Sequence, residues 1–414
     1  MKNLRIEMEA PRIVSQMPFG MVNEPTGKDN LISDWGLWQY PGLYRAPGGG
    51  ICAFFHKAAD RQAAYGTPSA CFVSYDDGDT WEERPDQHGQ YVAVLPNGDL
   101  LKGVRSKISG SDGLGLPEPV YSFTLPDWRG KVSFYNKDEI VLTVPMQLLR
   151  YKKGGIEWET ENPVVKIPGA VCTVRDNVLY GPFFEHMRIA PDGSLWGVIY
   201  HQRNEEAGFH RALRTMIIRS TDDGHTWDFL GEIPFHTVFT PDQYHPNQTC
   251  GFNEADVLFL DNGDVMCVAR ADGLIDDDYA FPAAVLYKSY SSDKGRTWSQ
   301  PEVFDPYGVW PTFLKMGRYS LFSYGRPGVY LRISDDEAGR VWSDRFDVGL
   351  SSGDGKTITY RDSCGYTDML ALDDRTALLI YTDFAYPDEE GRPRKSVLTR
   401  KLRINYEPQF PLVT

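Results

Sequence analysis

The octapeptides SYDDGDTW (74–81), STDDGHTW (220–227) and SSDKGRTW (291–298), followed by the longer SDDEAGRVW (334–342), are copies of one pattern. Their shared spacing is Ser-x-Asp-x-Gly-x-Thr-Trp, and its residue types specify a turn. The Asp can accept bonds from turn N–H groups, the Gly permits a left-handed bend, and the Trp can pack beneath the loop. Recurrence of this kind marks a repeated structural unit, so these residues are expected to be fasteners and not catalysts.

Working outward, a hairpin pattern recurs along the chain. Its copies are LYRAPGGGICAFFHK (43–57), YVAVLPNGDLLKGVR (91–105), MRIAPDGSLWGVIYH (187–201), DVLFLDNGDVMCVAR (256–270), FLKMGRYSLFSYGR (313–326) and DMLALDDRTALLIYTD (368–383). Most carry Gly-Gly, Asn-Gly or Asp-Gly turns, which supply the positive φ that tight hairpins need. Six units in 414 residues leave 69 residues each, more than the roughly 40 to 50 of a four-stranded propeller blade. The excess is expected in loops, chiefly an insertion around 106–186. No Pro/Ser linker divides the chain, which predicts one all-β domain over 1–414, a six-bladed β-propeller. Helices should be few, with AADRQAAYG (58–66) the best short candidate.

The chain has 43 basic and 57 acidic side chains, a net charge of −14. That balance argues against a nucleic-acid or anionic-membrane partner. An anionic ligand would then need a local arginine cluster. The N-terminal MKNLRIEMEAPRIVSQ lacks the apolar block of a secretory signal, which predicts a cytoplasmic protein. Cys52, Cys71, Cys172, Cys250, Cys267 and Cys364 show no C-x-x-C spacing and are expected as reduced core residues; neither they nor the histidines form a zinc pattern.

The turn repeat resembles the Asp-box of sialidases and related β-propellers, and the resemblance to that family covers most of the chain. Arg45 lies in YRAP, which resembles the family's Arg-Ile-Pro motif with Ala46 where isoleucine is usual. NEADVLFLDNGDVMCVAR resembles the segment that carries a glutamate and a carboxylate-binding arginine, here Glu254 and Arg270. YGRPGVYLRISDD resembles the segment with a further arginine, Arg326, and GYTDMLALDD the one with the tyrosine nucleophile, Tyr366. The resemblance implies a cofactor-free exo-glycosidase that removes a terminal acidic sugar with retention. Arg45, Arg270 and Arg326 would hold the carboxylate, and Glu254 would activate Tyr366. Asp60, the single aspartate between Arg45 and the first box, would be the acid/base, although it follows the arginine more closely than the family pattern has it.

The chemistry is coherent on its own terms. An anomeric carbon that bears a carboxylate repels a carboxylate nucleophile, so a neutral phenol activated by a glutamate is a sensible substitute. Guanidinium forks suit a bound carboxylate; Arg105 and Arg270 each lie seven residues beyond a turn glycine. Other candidates for lining an axial pocket are His56, His186, His201 and His245, and Trp35, Trp38 and Tyr40 for stacking a sugar. The histidines also fit a rival chemistry, proton abstraction beside a uronate carboxylate in a lyase or another glycosidase on the same scaffold. A propeller that only binds carbohydrate would keep the boxes and lose the axial polar set.

Overall fold

The four turns that resemble Asp-boxes close as their residue types dictate. In the first, the Asp76 carboxylate accepts bonds from the Thr80 amide (2.9 Å) and hydroxyl (2.6 Å). The Ser74 hydroxyl donates to Asp76 (2.7 Å) and accepts from the Gly78 amide (2.8 Å). Asp222 and Asp293 repeat the set with Thr226 and Thr297. In the degenerate copy Asp336 gathers the amides of Ala338, Arg340 and Val341. The indoles of Trp227, Trp298 and Trp342 donate to the carbonyl of their own box glycine at 2.8, 3.0 and 2.8 Å, whereas Trp81 donates to Thr399.

These details come from a computed structural model that describes residues 4–19, 22–23, 28–29, 37–46, 49–57, 69–84, 92–104, 107–124, 131–136, 147–175, 177–180, 184–205, 208–235, 251–272, 285–351 and 362–406. Asp60, Arg105, His245, Trp35, Cys250 and the helical candidate 58–66 lie outside the described residues. The chain forms two compact units, one of Met1–Gln90, Leu260–Asn262 and Gly308–Thr414, the other of Tyr91–Phe259 and Gly263–Tyr307. No α-helix occurs among the described residues.

The first unit contains three antiparallel meanders of the kind that forms a propeller blade. One runs through Gln39–Arg45, Ile51–His56, Ala70–Ser74 and Glu82–Glu83, and another through Val309–Met316, Tyr319–Gly325, Val329–Ser334 and Phe346–Asp347. The third is assembled from both parts of the sequence: Asp368–Ala371, Thr376–Pro387 and Pro393–Tyr406 are completed by Leu4–Met8, with Arg12–Gln16 pairing further along Pro393–Tyr406. Alternation sorts the side chains. Ile51, Ala53 and Phe55 from one face of their strand pack with Leu378, Ile380 and Val397 in a shared core.

The second unit holds the meanders Val92–Val94, Leu100–Val104, Gln147–Tyr151, Trp158–Glu161; Phe184–Ile189, Leu195–Glu205, Gly208–Ser220, Thr226–Glu232; and Gly251–Phe259, Val265–Asp272, Val285–Ser291, Glu302–Asp305. The long insertion adds a separate sheet of Lys107–Ser109, Tyr121–Thr124, Lys131–Asn136, Val171–Arg175 and Val178–Tyr180. His201 and Arg203 fasten it to the neighbouring meander through Thr173 (3.1 Å) and the Pro168 carbonyl (2.9 Å). The five described cysteines are buried and form no disulfide.

Register gives each blade two distinct ends. Ser74 pairs with Ile51 and Ile51 with Arg45, so box and hairpin turn share one end; Ser220, Ser291 and Ser334 are placed in the same way. At the other end the innermost strand of four blades gains one unpaired residue. The ladder shifts between Gln39 and Gly42, Phe184 and His186, Asn253 and Ala255, and Val309 and Thr312. Such bulges bend the strand and redirect a side chain.

Trp227 is completely buried beneath its box, with its ring 4.8 Å from Phe184. Trp227→Ala is expected to cost about 3–5 kcal/mol, and Trp227→Phe much less, as shifts in the urea midpoint. Hydrogen bonds from Thr80 and Thr297 hold Asp76 and Asp293 at about 2, below their ordinary 3.8. Their stabilising contribution is therefore complete above pH 3.8 and is lost as the pH falls towards 2. Replacing both with Asn should flatten that acid limb in a pH series of denaturation curves.

Candidate active site

In the first unit the bulged ends converge on Tyr366. Its ring centroid lies 4.7 Å from that of Tyr40 and 4.7 Å from that of Trp310, with the planes tilted by 41° and 39°. His56 meets Tyr40 edge-on at 5.8 Å. Tyr40 and Trp310 are bulge residues with φ of 57° and 50°. Each precedes a proline, Pro41 or Pro311, which the bulge tolerates because it needs no ladder amide there. Left-handed backbone is costly for bulky side chains, of order 1–3 kcal/mol each, and persists where the surroundings enforce it.

The loop that carries Tyr366 is fixed atom by atom. The Cys364 amide donates to the Thr382 hydroxyl (3.0 Å), and the Arg326 Nη2 donates to the Cys364 carbonyl (3.1 Å). The Thr367 hydroxyl donates to Ser323 (2.8 Å). Gly325 and Gly365 meet backbone to backbone: a Cβ on Gly325 would lie 2.1 Å from the Gly365 carbonyl oxygen. Tyr366 and Arg326 are half-buried and share this corner.

Arg45 is not part of it. It stands at the box end of its strand, where its Nη2 donates to the Ala371 carbonyl at 3.0 Å. Ala371 is five residues beyond Tyr366 at the far end of Asp368–Ala371, a separation of about 15 Å in extended chain. The expectation that Arg45 joins Arg326 at a carboxylate is corrected on that ground. Trp38 is likewise a core residue, buried, with its indole donating to Ser15 (3.1 Å).

In the second unit the bulge residues are Glu185 and Glu254, both buried. Glu254, with φ of 32°, makes a 2.9 Å ion pair with Nη1 of Arg270, which stands opposite its neighbour Asn253. Glu185 accepts the Ala255 amide (3.3 Å), and the His186 Nδ1–H donates to the Ala255 carbonyl (3.0 Å). Arg188 grips the fully buried Asp256 with two bonds, one of them 2.8 Å. Three carboxylates, an imidazole and two guanidiniums are thus gathered on Phe184–Ile189, Gly251–Phe259 and the latter's antiparallel partner Val265–Asp272. His201, by contrast, serves the inserted sheet.

Glu185 and Trp310 were not singled out by the sequence, and Tyr40 only as a ring for stacking a sugar. The signals were present: Phe-x-Glu occurs at 183–185 and 252–254, and an aromatic residue precedes proline at 40–41 and 310–311. Among the described residues no group of three or more His, Cys, Asp or Glu side chains could hold a metal ion.

No protein-family model and no curated protein matches the sequence. Solved structures do match in fold. A protein of unknown function from Dyadobacter fermentans is similar over 90% of this chain and 98% of its own, with 19% identity and a TM-score of 0.62. A Hadza microbial sialidase matches 89% of this chain, which spans 66% of that protein, with 16% identity and a TM-score of 0.52. The α-L-arabinanase of Penicillium chrysogenum, solved with arabinobiose, matches over 94% and 98% with 14% identity and a TM-score of 0.51. The chain therefore has the β-propeller fold of these proteins. At such identities the likeness concerns fold alone.

Burial lowers the pKa of His186 from its ordinary 6.5, against the opposing pull of Asp256, and so favours the neutral ring in the folded protein. Its contribution to stability is complete above pH 6.5 and falls as the pH drops below that value, because the unfolded chain then takes up the proton. His186→Gln should reduce the slope of unfolding free energy against pH between about 7 and 5.

Proposed function

We propose that this chain is an exo-acting glycoside hydrolase that removes a terminal carboxylated sugar with retention, Tyr366 being the nucleophile. The observation that carries this reading is the fixed phenol: a half-buried tyrosine held by two rings, beside an arginine bonded to its own loop. A sugar-stacking platform would need an open ring face, whereas this ring is already engaged. What it offers is its hydroxyl.

In the reaction the Tyr366 oxygen bonds to the anomeric carbon as the glycosidic C–O bond breaks, and an acid protonates the leaving oxygen. Water then releases the sugar with its original configuration. Arg326 is assigned the carboxylate, and the family resemblance gives the base that takes the phenol proton to Glu254, a second arginine to Arg270 and the acid to Asp60. An acidic oligosaccharide is the substrate class.

A second reading is favoured by the glutamates on neighbouring bulges. Glu185 and Glu254 could form a two-carboxylate centre for a neutral sugar, the commoner arrangement in glycosidases. Mass spectrometry after a fluorinated sialic-acid inactivator separates the two. An adduct on Tyr366, with Tyr366→Phe losing at least about 10³-fold in kcat, supports the first. Turnover of an aryl arabinoside with no adduct on Tyr366, abolished by Glu185→Gln, establishes the second and removes the first. An unsaturated uronide product would overturn both in favour of elimination.

A further inference from the structure

We propose that Tyr40 and Trp310 are positioning residues that set the direction of the Tyr366 hydroxyl; this rests on the reading of Tyr366 as nucleophile. The structural coincidence is specific. Two innermost strands, far apart in sequence, each insert one extra residue at the end remote from the Asp-box. In both cases a left-handed aromatic residue is followed by proline, and both rings reach the same third ring at the same 4.7 Å.

Elsewhere among the described residues, non-glycine left-handed positions fall on the box turns, at Asp77, Asp223 and Lys294, on the buried Trp38, on Glu254 and Arg326, and at Asn177; Asp and Asn accept the conformation readily. A tyrosine and a tryptophan do not. Their shared target is a side chain with two free torsions, Tyr366, whose oxygen must meet a carbon along one line. Misplacement of about 1 Å can cost about 10²-fold in rate, and a rigid aromatic clamp is a direct way to hold the ring.

The test is kinetic, with Tyr40→Asn as the main variant because asparagine keeps the left-handed backbone. The expected result is a fall in kcat of about 30- to 100-fold with KM changed less than about 3-fold. The rate of covalent labelling of Tyr366 by the fluorinated inactivator should fall in parallel, and Tyr40→Phe should restore both. Trp310→Phe should show an intermediate loss, and it replaces Tyr40→Asn if that variant fails to melt cooperatively. A folded Tyr40→Asn or Trp310→Phe enzyme that labels at the wild-type rate overturns the proposal, as does a rise confined to KM, which would make Tyr40 a substrate contact. Labelling of wild-type protein somewhere other than Tyr366 removes the nucleophile itself, a failure distinguishable from either of these.

Discussion

One unpaired residue in an innermost strand is the constraint on which the chemistry of this protein depends. A strand in a meander blade has its amides committed to neighbours, so its side chains can point only across the sheet. The extra residue breaks that alternation at one place. In the first unit it turns out Tyr40 and Trp310, in the second Glu185 and Glu254. Without the bulges these strands would have the register of ordinary core strands, and their polar groups would have no reason to gather.

The opposite end of each blade obeys different physics. In the four blades that carry a box, the chain reverses there between the third and fourth strands, with a carboxylate that accepts bonds from one to three amides and an indole that packs below. Nothing in that turn is directed at a ligand. The separation of fastening from reactivity explains why the boxes can tolerate a degenerate copy at 334–342 while the corner at Gly325 and Gly365 admits no side chain at all.

Much of this was legible in the sequence. Tight-turn glycines and the Ser-x-Asp-x-Gly-x-Thr-Trp spacing placed the hairpins and boxes, since both are local and depend on few residues. Glu254 was picked out by resemblance and Arg270 also by its count from the turn glycine; in the structure the two form one ion pair. Arg45 went astray although its position was countable, because it immediately precedes its turn and must therefore sit at the box end. Tyr40, Trp310 and Glu185 were harder. A bulge is a property of two strands together, and a single strand shows only a faint trace of it, such as an aromatic residue before proline.

The third meander of the first unit has a consequence of its own. Its long strand Pro393–Tyr406 is shielded along one side by Leu4–Met8 and Arg12–Gln16, segments from the opposite end of the chain. Peeling that early stretch away would uncover a row of amides and carbonyls ready to accept an identical segment from another molecule. Reciprocal strand exchange between copies is thus the form of misassembly to which this edge is exposed.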